Sequence, residues 1–528
     1  MDRSAADNRY VLAIDHGTSG CKTALVSVNG RVGETAFEPT PIHYLPGGGA
    51  EQDPEDWWRT LVATAARVVS ASGLDPDHIV GMCCSSTFSS TVAADREGRP
   101  LMNALTWLDS RGAPHVRRLM KGLVNIEGYG LSNLLNWVPR TGGGPTLSGK
   151  DDIAHVLYVQ NERPDVYRET HRFVGSKDWL NWRLTGRCAA SFDSVTLFWV
   201  TDNRDIDNVR YHDGLIRRLG VDRAKLPRLM RSTDVLGPVM PAVADAIGLR
   251  RDTPVIVGAA DLQSACVGSG AVGDFDGHVY IGTSSWVLCH VPFKKTDVFH
   301  KVASLPSAIP GRYFCANEQD MAGGCLEFVA KNLLYHRNRL RDEAPPEDVY
   351  AQLDEVAREV PPGSRGVLFT PWLNGEKTPV DNETLRGGWH NLSVNNNLDD
   401  MVRAVFEGVA LNTRWNLKYV ERFTGRAMNP LNIIGGGARS DVWCRIMADV
   451  LGRTVRQVED PLQANARGAA FIAAVALGHI GFDDIPGLIR FSDTFDPDPA
   501  NRGLYDNLFG EFLNIYRLNR GLYARLNR

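Results

Sequence analysis

The sequence has no long apolar run, no paired-cysteine pattern and no charge excess, and each absence closes off a class of protein. Its greasiest stretch, "GAAFIAAVALG" (468–478), is shorter than the roughly 20 residues needed to span a bilayer. It is also rich in small residues and reads as a packed helix. Nine cysteines are scattered through 528 residues. None falls in a CxxC or Cys/His cluster, so neither a zinc site nor a disulfide framework is suggested. Reduced thiols in a cytoplasm are the expectation. Lys+Arg 58 against Asp+Glu 62 leaves a formal net charge of −4, which gives no support for a nucleic-acid or membrane-surface partner. The first ten residues, "MDRSAADNRY", are polar and lack the apolar core of a signal peptide. A soluble, cytoplasmic protein is expected.

The length argues for more than one domain, and 43 % hydrophobic residues allow large cores. Helical and strand-like segments alternate, as in an α/β protein. "EQDPEDWW" (51–58) opens a helix: Asp53 can cap, Pro54 suits the first helical position, and Glu55 and Asp56 favour the dipole. "HIVGMCC" (78–84) and "TPVIVGAA" (253–260) read as buried strands. "SDVWCRIMADVLG" (440–452) reads as a helix with one apolar face, capped by Ser440 and stopped by Gly452.

"AIDHGTSGCKTALV" (13–26) carries more chemistry than a hairpin turn requires. Two apolar runs flank a carboxylate (Asp15), Gly17, two hydroxyls (Thr18, Ser19) and an ammonium (Lys22). Glycine lets backbone N–H groups approach an anion, hydroxyls add donors, and a carboxylate can hold Mg²⁺ through water. A phosphate site and a solvated surface hairpin both fit these residues. "HVYIGTSSWVLCHV" (278–291) repeats the pattern, with Gly282, Thr283 and Ser284 matching Gly17, Thr18 and Ser19. Two related domains that offer hairpin tips to a shared cleft would explain the echo.

Two other glycine-rich segments resemble nucleotide loops without meeting their requirements. "GPTLSGKD" (144–151) has the GxxxxGK spacing, but Asp151 stands where a metal-ligating hydroxyl belongs and no strand precedes it. "IIGGGARSD" (433–441) runs from strand to helix, yet Ser440 replaces the last glycine of GxGxxG. Gly435, Gly436 and Gly437 suit either a tight turn or an open surface for a ring or phosphate.

Nine segments in order resemble the FGGY carbohydrate kinases: "AIDHGTSGCKTALV", "EQDPEDWW", "TWLDSRG" (106–112), "KDWLNWRLTG" (177–186), "VIVGAADLQSACVGSG" (255–270), "YIGTSSWV", "FTPWLNGEKTP" (369–379), "AVFEGVALNTR" (404–414) and "IIGGGARSDVW". The resemblance runs from about Tyr10 to Gly478. It implies an α/β fold of two actin-like, ribonuclease H-like domains with a central cleft, a sugar-binding half over 1–257 and an ATP-binding half over 258–528. It further implies that ATP and Mg²⁺ are used, with Asp15, Gly17, Thr18, Ser19 and Lys22 at the first phosphate loop. Gly282 and Thr283 match the second loop, and Gly435, Gly436, Gly437, Ala438 and Arg439 match the adenosine site. Asp261 matches the base that takes the proton of the attacking hydroxyl, and with Asp15 it would hold Mg²⁺. Read alone, Asp261 is a helix cap after a strand; the two roles are compatible.

The partner implied is a small sugar or polyol. Where glycerol kinases carry Arg-Glu and xylulokinases Met-His, this chain has Phe88-Ser89. Leu262 replaces the Gln that follows the base in glycerol kinases. Trp107 and Asp109 keep the Trp-x-Asp pattern of the sugar pocket, and "FTPWLNGEKTP" leans toward the xylulokinases. A pentulose or related polyol is the expected acceptor. Glycerol, a tetritol, a heptulose or a linear signalling sugar is the alternative, as is a non-catalytic ATP and sugar sensor on the same fold. The sequence is compatible with a homo-oligomer and does not set the oligomeric state.

Overall fold

The computed structural model describes residues 8–335 and 342–527. Its first sheet begins with the hairpin β1 (Tyr10–Gly17) and β2 (Gly20–Ser27), followed by β3 (Val32–Pro39). β1 is buried on both faces and its side chains divide by strand alternation. Leu12 and Ile14 join Trp57 and Leu61 of the helix α1 (Pro54–Ser72) in one core. Val11 and Ala13 join a second core on the opposite face. α1 starts as its residues dictate: the Asp53 side chain accepts the Glu55 N–H, Pro54 occupies the first turn, and Gly73 (φ 61°) ends the helix. β4 (Ile79–Ser86), β5 (Val235–Pro238) and β6 (Pro254–Ile256) complete a six-stranded sheet in the order β5-β6-β4-β1-β2-β3. β1 is antiparallel to β2 and parallel to β4.

The second sheet repeats this topology. The helix α2 (Asp261–Gly268) leads into the hairpin β7 (Gly277–Ile281) and β8 (Ser285–Val291). Next come β9 (Thr296–Asp297), β10 (Val302–Pro306), β11 (Tyr313–Ala316), β12 (Leu431–Ile434), β13 (Val455–Val458) and β14 (Phe491–Phe495). Their order is β9-β10-β11-β8-β7-β12-β13-β14. β7 is antiparallel to β8 and parallel to β12, as β1 is to β2 and β4. The shared Gly-Thr-Ser pattern therefore marks the same turn in two copies of one actin-like arrangement. Among the described residues no helix is long and apolar enough to cross a membrane.

The copies are joined where α2 crosses α3 (Ala464–Ala476). The crossing is backbone on backbone. A Cβ on Gly268 would lie 1.8 Å from the Ala464 carbonyl O, and one on Gly468 would lie 1.7 Å from the Ser264 carbonyl O. α3 comes late in the chain, yet it packs Ala469, Phe471 and Ile472 into the core beneath Val11, Ala13, Ala24 and Val26 of the first sheet. The run "GAAFIAAVALG" is thus a buried helix whose small residues permit close approach.

Gly468→Val is expected to lower stability by at least about 2 kcal/mol, at the upper end of overpacking costs, because the obstructing atom is backbone. Gly510→Ala is the contrast, since its Cβ would meet nothing within 4 Å. Thermal melts of the two variants check this; equal melting midpoints would show that the crossing tolerates a side chain.

Candidate active site

The carboxyl ends of β1 and β4 lie side by side, with Asp15 opposite Ser85 and His16 opposite Ser86. Ser86 in turn bridges to Ala260. In an open α/β sheet this edge is where a ligand crevice forms. Here it places Asp15, Phe88 and Asp261 on one cleft of about 2140 Å³, together with Thr18, Ser19, Ser89, Trp107, Thr283 and Ser284. That volume is about twice the upper range of single-ligand pockets, enough for two ligands side by side.

Each hairpin tip is held from outside itself. The Trp107 indole N–H donates to Thr18 Oγ1 (2.9 Å), and the Gln52 amide donates to the Thr18 carbonyl O (3.0 Å). The Thr18 hydroxyl hydrogen is therefore free to point at a ligand. At the second tip the Gly323 N–H donates to the Gly282 carbonyl O and the Ala322 N–H to the Thr283 carbonyl O, both at 2.8 Å.

Asp15 and Asp261 are both buried carboxylates. Burial pushes the Asp15 carboxyl up, opposed by Lys22, with Nζ 3.8 Å from Oδ2, and by the Asn465 amide, which donates to Oδ1 (3.2 Å). Burial likewise pushes Asp261 up to about 7, with Asp15 and Glu318 adding to it. Backbone N–H groups of Leu262 (2.8 Å) and Phe88 oppose the shift. A carboxylate titrating near neutrality is suited to accept a proton. Asp261 opens α2 without a side-chain bond to the helix's second turn, so its carboxylate is left to face the cleft.

The turn that aims Asp261 is fixed by buried polar groups. Asp193 accepts the Ala260 N–H (2.8 Å) and the Ser232 hydroxyl (2.7 Å). Lys177 and Asn181 both donate to the Val257 carbonyl O, at 3.1 and 2.8 Å.

Several expected residues sit elsewhere than in the cleft. Asp109 is fully buried and does not line it. The Asp109 carboxylate is taken by the Arg111 guanidinium and the Ala50 N–H, so it is Arg111 that reaches the cleft wall. Lys22 donates to the Leu462 carbonyl O (2.9 Å) behind Asp15 and is not part of the lining. Gly282 serves as the support of the second tip. Gly435 (φ 91°) and Gly437 pack on Ile281, and Ala438 is buried, while Gly436 and Arg439 face outward on a ledge beside β7. The structure does not bring these five residues into the main cleft. In "GPTLSGKD", Asp151 caps the helix Asp152–Glu162 by accepting the Ala154 N–H (3.1 Å) and also accepts the Trp199 indole N–H (2.7 Å). The segment is no nucleotide loop, but Lys150 lines the cleft, and its carbonyl O accepts the Ser89 hydroxyl (2.8 Å). Ser89 itself lies in the left-handed region (φ 55°).

The sequence reading missed Asn465, Tyr280 and the acidic group across the cleft. There the Lys377 ammonium lies 2.9 Å from Glu318, 3.4 Å from Asp320 and 5.6 Å from the centre of the Trp107 ring. Burial works to lower Lys377, but the two carboxylates outweigh it and hold the group above its ordinary range. Lys377 belongs to the quoted "NGEKTP" run, so its place in that segment was the available signal. Asn465 carried none.

The models of the FGGY family of carbohydrate kinases match this chain, the N-terminal domain over residues 10–268 and the C-terminal domain over 277–477. The chain belongs to that family and is an ATP-dependent sugar kinase. It is 28 % identical to a xylulose kinase of Bacillus subtilis over 522 residues, 98 % of this chain and 99 % of the relative. It is 25 % identical to a gluconokinase of the same organism over 531 residues, 98 % and 97 % of the two chains. The solved structure of a gluconate kinase from Lactobacillus acidophilus shares the fold, with a TM-score of 0.85 at 21 % identity over 98 % of this chain and 100 % of that one.

Two outcomes follow from the geometry. Thr18→Val should raise the KM for ATP by about tenfold, the scale of a lost hydrogen bond to a charged group, and leave the KM for sugar nearly unchanged; steady-state kinetics in both substrates check it. If Asp261 is the group that accepts the proton, it must be ionised, and kcat/KM should then fall by about tenfold per pH unit below about 7 and level off above it. A pH–rate profile without that acid limb would remove Asp261 as the base.

Proposed function

We propose that the chain transfers the γ-phosphoryl group of ATP to a hydroxyl of a pentulose or a related polyol. The observation that supports this best is that the buried Asp261 lines one cleft with both Gly-Thr-Ser tips and the Phe88-Ser89 pair. The same reading assigns the sugar half to residues up to 257 and the ATP half to residues from 258.

In this mechanism Thr18, Ser19 and Thr283 hold phosphate oxygens, and the hairpin backbones supply further donors. The open ledge at Gly436 and Arg439 takes the adenosine end. Phe88, Ser89 and Trp107 orient the acceptor, with Arg111 in place of Asp109 at the wall. Asp261 accepts the proton of the attacking hydroxyl. Positioning and charge stabilisation supply most of the acceleration in such transfers, and closure of the two domains would keep water from the reacting atoms.

Mg²⁺ fits the donor set only in part. Among the described residues no group of three His, Cys, Asp or Glu is placed to hold a metal ion. Asp15 and Asp261 would therefore hold it through water, with phosphate oxygens as its inner ligands. When bound, the ion would neutralise charge developing on the phosphates.

ADP release measured across D-xylulose, L-ribulose, polyols, gluconate and glycerol tests the acceptor. A pentulose should give the highest kcat/KM. Preference for gluconate or glycerol would overturn the assignment, and no turnover with any acceptor would favour a sensor. Phe88→Met with Ser89→His is expected to reorder the acceptors by at least about tenfold, of the size that pocket contacts confer, with the KM for ATP unchanged.

A further inference from the structure

Tyr280 stands two residues before the second hairpin tip, on β7, and lines the cleft. Its ring is stacked on Trp286 of the neighbouring strand, with centroids 3.9 Å apart and planes 7° apart. Trp286 is fixed in turn by its indole nitrogen, 3.2 Å from His278 Nε2. The phenol oxygen projects over the tip: a Cβ on Gly282 would lie 2.2 Å from it. Only glycine at 282 leaves room for the hydroxyl in this position. No side chain or backbone group among the described residues hydrogen-bonds that hydroxyl, and the partly buried Tyr280 opens onto the cleft.

A hydroxyl that faces the cleft with no protein partner is left for water or a ligand to satisfy. Packing alone would be served as well by phenylalanine. The stacked ring fixes where the oxygen goes: over the second tip at Gly282, within electrostatic reach of Asp15 and Asp261. Asp15 and Asp261 both act electrostatically on the phenol and, with burial as the larger cause, push it up to about 12. It is therefore an O–H donor at neutral pH and cannot serve as the base.

We propose that Tyr280 is a further catalytic residue, whose phenol O–H donates a hydrogen bond to an oxygen of the phosphoryl group in transfer. The proposal rests on the kinase reading with Asp261 as base. The acceptor hydroxyl gives its proton to Asp261, and its oxygen forms the new bond to the γ-phosphorus. The bond from that phosphorus to the β–γ bridging oxygen breaks, and ADP leaves with the electron pair. Tyr280 keeps its proton throughout and stabilises charge on the phosphoryl oxygens. Preorganised donors of this kind act mainly on the transition state, so the loss should appear in kcat.

Tyr280→Phe keeps the ring and its stacking on Trp286. With MgATP and the best acceptor of the panel above, kcat is expected to fall by about 10²-fold. The KM values for ATP and acceptor should stay within about threefold. The melting midpoint should hold, because the ring and its stacking are kept and the hydroxyl has no protein partner to lose. Affinity for ADP–aluminium fluoride, a mimic of the transferring phosphoryl, should drop with kcat while that for ADP alone is kept. A kcat within about threefold of the parent overturns the proposal. So does a loss confined to the KM of the acceptor, which would make Tyr280 a sugar contact. Asp261→Asn measured alongside separates the two readings. If it turns over normally, the base assignment fails and takes this proposal with it. If it is inactive while Tyr280→Phe runs at the parent rate, the Tyr280 proposal fails alone.

Discussion

Two helices touch through their backbones at Gly268 and Gly468, and the positions of the reacting groups depend on that contact. Asp261 is the first residue of one helix, and Asn465 is the second residue of the other. Asn465 reaches Asp15 at the end of β1, so the crossing sets both carboxylates relative to each other. A side chain at either glycine would push the helices apart and move Asp261 away from the hairpin that carries Asp15 and Thr18. The interior here is close-packed and transmits such shifts.

The same close packing governs the electrostatics. Asp15 and Asp261 are short of water, and each is raised chiefly for that reason. Asp15 also raises Asp261, because like charges in a poorly solvated cleft resist joint ionisation. A site of this kind binds a cation readily and a bare phosphate poorly, which is the charge logic of a metal-nucleotide complex. Across the cleft, Lys377 bridges Glu318 and Asp320 and lies against Trp107, whose indole holds Thr18. The first hairpin tip and the acidic group of the second domain are linked through that one indole.

Local signals in the sequence carried much of this. The paired apolar runs located β1 and β2, the cap residues Asp53 and Ser440 located their helices, and the repeated Gly-Thr-Ser located both cleft tips. Asp261 could be placed because a strand-to-helix turn is itself local. What stayed hidden depends on contacts across long separations. Asp109 reads as a pocket acid until Arg111 and the Ala50 N–H are seen to occupy it. Asn465 looks like any polar residue in a small-residue helix until it meets Asp15, 450 positions earlier. Lys150 was weighed only as part of a nucleotide loop, a role its loop rules out, and its cleft-facing position depends on the Ser89 contact. Tyr280 looked like one more apolar member of a strand, because alternation gives its face and not the pocket that face meets.

The placement of the helix Ala464–Ala476 on the first sheet has a consequence for how the chain is made. Val11, Ala13, Ala24 and Val26 leave the ribosome early, but the helix that covers them is synthesised some 440 residues later. The usual order, in which an amino-terminal domain folds while the rest is being translated, is therefore unavailable to this face. Nascent chains and fragments ending before residue 464 carry an uncovered apolar strip along a β-sheet, the kind of surface that aggregates or recruits chaperones. The two halves share a fold, but they mature as one unit, and the last step of the first half's folding waits for the near-completion of the second.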